Sequence, residues 1–356
     1  MRLASSCSYF DMTDEEAFQM YKDAGYEALN LSYINKEEYM YDGIEHFYAL
    51  GDDYVERAKE QRRILDKVGL VCNQTHAPYG LKETDELDES NYHFLELVRS
   101  IEVTAIVGAP LVVIHPIKPA SYDDVYDHNM RMFKALLPYC EKFGVKLALE
   151  TCHLKYRIDG KVVPFIDCAK TYCEIITALG NKNIVACIDL GHTAGGVDHL
   201  PEVFVSEMQP GILQGLHVQD CDYMHDNHTT PFFQYLNWTE IMKALSDIDY
   251  TGDFTYEDVN ESRYFPKELR KSVVKYRAEV GKYLISLFDK FQDPGTLRCV
   301  ALLLQNERSP LFTYLFPDLR RHISHPADAP RDLFRSDRIK GDQVIKIFFR
   351  NTKDPC

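Results

Sequence analysis

Eight short apolar runs, many rich in β-branched residues, alternate along this chain with amphipathic stretches of helical length, and that alternation constrains the fold more than any other feature. The runs are Arg2 to Ser6, Tyr26 to Leu31, Leu70 to Thr75, Leu111 to His115, Lys146 to Glu150, Val185 to Asp189, Ile212 to Gln219 and Gly252 to Tyr256. The stretches that follow them predict helices over about 14–24, 54–68, 91–107, 122–143, 168–179, 200–208, 237–248 and 267–291, several opened by a capping residue such as Thr13 or Asn91. A strand, a helix and a further strand in succession read as a parallel βαβ unit. Eight strand and helix pairs over about 290 residues, with no sign of a central switch point, fit a closed (β/α)8 TIM barrel better than an open sheet. In such a barrel the chemistry sits at the C-terminal ends of the strands.

The chain has 356 residues, a length that single barrels commonly reach. We read 1–291 as the barrel and 292–356 as a C-terminal appendage without an assigned role. That appendage carries eleven basic and eight acidic residues, a net of +3, and no further βα period. Two excursions interrupt the barrel rhythm, 32–52, rich in Tyr and acidic residues, and 152–167, which reads as a short hairpin around Asp159 and Gly160. Both leave the face where a barrel builds its site. The net charge of −15 repels polyanions, so nucleic acid is a disfavoured partner. No apolar run approaches the roughly 20 residues that span a bilayer, and no sustained apolar segment follows the N-terminus. Ten Cys without a CxxC pair read as reduced thiols. The expectation is a soluble, cytoplasmic globular protein with no membrane partner.

The strand ends hold an unusual set of side chains. The third run ends in His76, the fourth in His115, the fifth in Glu150, and the sixth in Asp189 followed by His192. The seventh contributes His217, with Asp226 and His228 in the loop after it, and the eighth ends at Tyr256 and Glu257. Five imidazoles and four carboxylates on one rim form a nitrogen and oxygen donor set suited to Zn, Mn, Co or Mg. Four carboxylates clustered there without a cation would repel one another. Taken singly, each His is more often a hydrogen-bonding residue than a ligand and each acid a solvated charge; the joint arrangement reverses that balance. His46, His93 and His128 fall outside the strand ends and are read as ordinary residues, and His153, His199 and His225 lie in rim loops.

These residues give the chain a resemblance to the xylose-isomerase-like TIM-barrel superfamily, which includes sugar isomerases and epimerases and the endonuclease IV type of apurinic-site nuclease. The resemblance covers about residues 1 to 290. It rests on Asp189-Leu190-Gly191-His192, on Asp226-Asn227-His228, and on Trp238 to Glu257, where a Trp, an Ala-Leu, an aromatic-Gly and a strand-ending Glu recur in family order. It implies that Glu150, Asp189, His217 and Glu257 hold the metal common to the family. In isomerase and epimerase members the two Glu also form the acid/base pair, and His192 resembles a substrate contact, with His76 and His115 beside it. In endonuclease IV relatives His76 and His115 with a bridging Glu150 would hold a second ion, and His192, Asp226 and His228 a third. The ligand types alone do not choose between the branches.

The expected function is therefore a metal-dependent isomerase or epimerase of a small sugar, polyol or sugar phosphate, working by Glu/Glu proton transfer through a metal-bound enediolate. One divalent ion is expected and up to three are accommodated. The alternative is an endonuclease IV-like phosphodiesterase acting on abasic DNA, which needs a basic groove. Outside the appendage the chain carries −18, and the rim shows few cations besides Lys118, Lys155, Arg157 and Arg263. A noncatalytic sugar-binding barrel would predict damaged ligands, and none is damaged. Members of the superfamily often form homo-oligomers.

Overall fold

A computed structural model describes residues 1–7, 12–33, 51–82, 84–117, 125–152, 168–194, 200–257, 262 and 264–293, with the backbone alone at 40–41, 44–45, 157–158 and 161–162. Met1–Phe288 forms one compact unit, and Asp289–Cys356 is a second, of which only the end of the last helix and Asp293 are described. The expected appendage thus lies almost wholly outside the described residues, as do His46, His153, His199, Lys118, Lys155 and Arg263.

Eight strands build the barrel: β1 (Leu3–Cys7), β2 (Ala28–Ser32), β3 (Val71–His76), β4 (Leu111–Ile114), β5 (Lys146–Glu150), β6 (Ile184–Asp189), β7 (Leu213–His217) and β8 (Phe254–Tyr256). They pair in parallel in the order β7-β6-β5-β4-β3-β2-β1-β8. The ring closes where Val218 bridges Tyr256 in parallel, with Val218 N donating to Thr255 O at 2.8 Å and Glu257 N donating to Val218 O at 3.0 Å. This is a TIM barrel. A closed barrel buries both faces of each strand, and β1, β4 and β6 are buried along their whole length.

The helices follow the strands: α1 (Asp14–Ala24), α2 (Tyr54–Val68), α3 (Tyr92–Val107), α4 (Val125–Phe143), α5 (Ala169–Leu179), α6 (Pro201–Ser206), α7 (Trp238–Asp247) and α8 (Lys267–Gln292). Helix α1 shows how local sequence sets their ends. Thr13 accepts from Glu16 N while Glu16 reaches back to Thr13 N, closing a capping box, and Gly25 ends the helix at φ 93°, a conformation costly for any other residue. Asn91 caps α3 by accepting from His93 N and Phe94 N.

Local differences from the sequence reading concern strand ends. The run Ile212 to Gln219 stops being strand at His217, because Val218 closes the barrel and Gln219 turns inward. A one-turn helix, Leu190–Ala194, follows β6 where a loop was expected; Asp189 starts it by accepting from His192 N at 2.7 Å. The backbone of Arg157–Ile158 pairs antiparallel with Lys161–Val162, which agrees with a hairpin around 159–160. Met40–Tyr41 and Ile44–Glu45 form a second such pair, unforeseen, within 32–52. The eight described cysteines are all free thiols. Among the described residues no helix is long and apolar enough to cross a membrane.

Candidate metal centre

Parallel register sets the height of each strand-end side chain. Asp189 pairs with His217 across β6 and β7, Cys187 with Glu150 across β6 and β5, and His76 with Val113 across β3 and β4. All nine strand-end and loop residues singled out in the sequence meet on this rim, in three groups. His76, His115 and Glu150 form the first; His192, Asp226 and His228 the second; Glu150, Asp189, His217 and Glu257 the third. Within each group one donor atom per residue lies within 4.8 Å of the others. Glu150, Asp189, His217 and His76 are fully buried.

Glu150 belongs to two groups, and its two oxygens divide the work. Oε2 lies 3.0 Å from His76 Nε2 and 2.8 Å from His115 Nε2, while Oε1 lies 2.7 Å from His217 Nδ1. In the second group His192 Nε2 and His228 Nε2 stand 3.3 Å and 3.1 Å from Asp226 Oδ2.

The far side of these rings fixes their tautomers. His76 Nδ1 donates to Ala77 O at 2.9 Å, His192 Nδ1 to Thr151 O at 2.7 Å, and His228 Nδ1 to Glu257 O at 2.8 Å. A carbonyl only accepts, so each Nδ1 carries the proton, and in a neutral ring the Nε2 lone pair then points at a carboxylate oxygen. Two lone pairs cannot satisfy each other. Either a second proton on the ring or a cation between the two atoms resolves the contact, and a backbone-anchored Nδ1–H behind a free Nε2 is how metal-bound imidazoles are oriented. In the third group His217 Nε2 and Glu257 Oε2 are buried without a hydrogen-bond partner. The residues therefore fit a divalent cation in donor type and convergence, and they leave buried polar atoms that such an ion would satisfy.

Electrostatics agree with a centre that wants positive charge. Burial would raise Glu150, but the imidazoles of His217 and His115 hold its carboxyl well below the usual range. Burial, with the charges of Glu150 and Asp189 added, pushes Glu257 well above it. Burial lowers His76 despite the adjacent Glu150. Burial would also lower His192, yet Asp189, Asp226 and Glu150 outweigh it and push the ring up to about 10. Asp226 is held low against its burial by hydrogen bonds from His192 and His228.

Four neighbours escaped the sequence reading. Tyr79 packs edge-on against His76 and His115, its hydroxyl 3.3 Å from His115 Nε2. Thr151 Oγ1 accepts from Asp189 N at 2.9 Å. Gln219 reaches Asp189, Asp226 and His228. Asp220, buried one residue further, accepts from the backbone N–H of Cys221, Phe232, Gln234 and Leu236 and from Trp238 Nε1. None of these carried a sequence signal of its own; the glycine at 191 that makes room for Gln219 shows that role only in the structure. By contrast His93 pairs locally with Glu96, and His225 with Asp222, away from the three groups.

Fold and rim together define a parallel (β/α)8 barrel with an imidazole and carboxylate centre at the C-terminal ends of its strands. The chain belongs to the xylose isomerase-like TIM barrel family, whose model matches residues 18–278. An uncharacterised protein of Sinorhizobium fredii, y4fM, is 23% identical over 293 residues, covering 73% of this chain and 87% of that protein. A D-tagatose 3-epimerase-like protein of known structure superposes with a TM-score of 0.61 at 18% identity, covering 82% of this chain and 99% of its own. The IolI protein with a bound zinc atom superposes with a TM-score of 0.58 at 14% identity, over 82% of this chain and 99% of its own.

Proposed function

We propose that this chain is a divalent-metal-dependent isomerase or epimerase of a small sugar, polyol or sugar phosphate, acting in the cytoplasm. The observation that carries the reading is the convergence of Glu150 and Glu257 in one donor group with Asp189 and His217. Family membership and the likeness in fold to an epimerase-like protein and to a zinc-bearing barrel support it.

Glu150, Asp189, His217 and Glu257 would hold the ion, with Zn, Mn, Co and Mg all compatible with the donor set. A bound ion supplies positive charge that polarises a substrate carbonyl and acidifies the C–H beside it. Glu150 and Glu257 are the pair of this group that would exchange protons with substrate. One takes the proton from the carbon next to the carbonyl, and the other returns a proton to that carbon or its neighbour. On this reading His192, His76 and His115 would meet substrate hydroxyls, and Tyr79 packs edge-on against His76 and His115. Burial of Glu150 keeps competing water from one of the two proton-transfer positions.

The test is solvent exchange. Protein loaded with Mn²⁺ or Zn²⁺ should incorporate deuterium from D₂O at the carbon alpha to the carbonyl of its ketose or keto-polyol substrate. Glu257→Gln should cut that rate by about 10² to 10⁴ while the barrel stays folded. Exchange by Glu257→Gln at the wild-type rate would remove Glu257 from the mechanism.

One observation favours a second reading. Three donor groups, two of them sharing Glu150, are the set that a phosphodiesterase of the endonuclease IV kind would use to activate water and clamp a phosphate. Against it stands the acidic chain, at −15. Cleavage of an abasic duplex at catalytic protein concentration, lost on chelation, would put this reading first.

A further inference from the structure

Gln219 stands at full burial between two of the donor groups, at the point where β7 leaves the barrel. Its Nε2 lies 3.1 Å from Asp189 Oδ1 and 3.3 Å from Asp189 Oδ2, both in the third group. The same nitrogen lies 2.8 Å from Asp226 Oδ1 and 3.5 Å from His228 Nε2, in the second. The amide orientation follows from its other atom, since Oε1 accepts from His228 N at 2.8 Å and an amide nitrogen could not. An amide has two N–H groups, so one serves each carboxylate. The side chain thus donates to a carboxylate of each group while anchoring the backbone of a third donor residue.

Gly191 makes this placement sterically feasible. A Cβ built on it would stand 2.5 Å from Gln219 Cδ and 2.7 Å from Oε1, so Gln219 lies where any larger residue at 191 would collide with it. The glycine between Asp189 and His192 is therefore a seat for the Gln219 amide.

We propose that Gln219 is a positioning residue that couples the two groups: its amide holds Asp189 and Asp226 facing each other, and so sets how strongly cation binding at one group depends on the other. This rests on the metal-centre reading above. The amide is neutral, so it supplies two donors without a charge that a cation would have to displace. Replacing its nitrogen by oxygen, as in Gln219→Glu, keeps the shape and the acceptor for His228 N but sets a third carboxylate against Asp189 and Asp226. Gln219→Ala removes donor and acceptor together, leaving both acids without their shared partner.

The experiment compares wild type, Gln219→Glu and Gln219→Ala, each freed of metal and then loaded with Zn²⁺ alone, by thermal unfolding and by native mass spectrometry for ions retained. The proposal expects the rise in Tm on loading to be larger in Gln219→Glu than in wild type, and smaller in Gln219→Ala. It also expects Gln219→Ala to need about 10- to 100-fold more Zn²⁺ to retain the ion at His192, Asp226 and His228. A side chain that only filled space would leave the loading increment and the Zn²⁺ requirement of Gln219→Ala equal to those of wild type, and that result overturns the proposal. If wild type retains no ion, the metal reading fails by itself; the metal-free proteins then decide the matter, because the proposal places Gln219→Glu below Gln219→Ala in Tm, and the reverse order overturns it.

Discussion

Glu150 meets imidazoles from three different strands, β3, β4 and β7, and none of those contacts is available to a side chain one position away, which would point to the opposite face of its strand. Residue-scale geometry of this kind makes small substitutions informative. Gly191→Ala adds one methyl group at a point already 2.5 Å from the Gln219 amide carbon, and the one-turn helix around it gives little room to move. We expect it to cost about 1–3 kcal/mol, the usual range for overpacking a tight interior, and to reduce the Zn²⁺-induced rise in Tm as Gln219→Ala does. Thermal unfolding with and without Zn²⁺ measures both; an unchanged increment would mean that Gln219 finds an equivalent seat. Six of the nine donor residues, His76, His115, Glu150, Asp189, His217 and Glu257, are legible in the sequence because a parallel barrel brings the strand ends onto one rim, while His192, Asp226 and His228 are read from their spacing beyond the strand ends. Gln219 is not legible in that way. A glutamine at a strand end carries no chemical signature, and its partners come from the neighbouring β6 and from the loop that follows it.

At the scale of elements, the segment 221–236 after β7 brings Asp226 and His228 to the rim without any long helix or strand to hold it. Its order comes from Asp220, whose two oxygens accept four backbone N–H groups and the Trp238 indole. Backbone pairing of Asp220 with Thr229 closes the loop on itself. Asp220→Ala leaves those buried donors unpaired, for which about 2–4 kcal/mol of destabilisation is expected. Amide hydrogen exchange should rise across 221–236 first and spare β1 to β6, since the loss is local. Uniform exchange over the whole barrel would show that Asp220 supports the global fold instead. The sequence places this loop but not its organiser, because Asp220 adjoins the donor residues and looks like one of them; only its ring of N–H partners shows that it serves the backbone.

At the scale of the whole molecule, the periodicity of apolar runs identifies all eight strands, since a strand buried on both faces is mostly apolar. It misplaces ends by one or two residues, as at Gln219, two residues beyond the last residue of β7, and at the starts of β2 and β8. The closed ring has a chemical consequence: β5, β6 and β7 lie side by side and β8 closes against β7, so Glu150, Asp189, His217 and Glu257 approach one point from four successive strands. A site built on four strands keeps its shape when substrate or metal leaves. That convergence carries the proposed chemistry, and anomalous diffraction from crystals grown with Mn²⁺ or Zn²⁺ tests it directly. The account predicts an anomalous peak about 2.0–2.3 Å from donor atoms of Glu150, Asp189, His217 and Glu257 together, absent in Asp189→Asn with His217→Ala. No peak at that point in saturating metal, whatever density stands elsewhere, would contradict it.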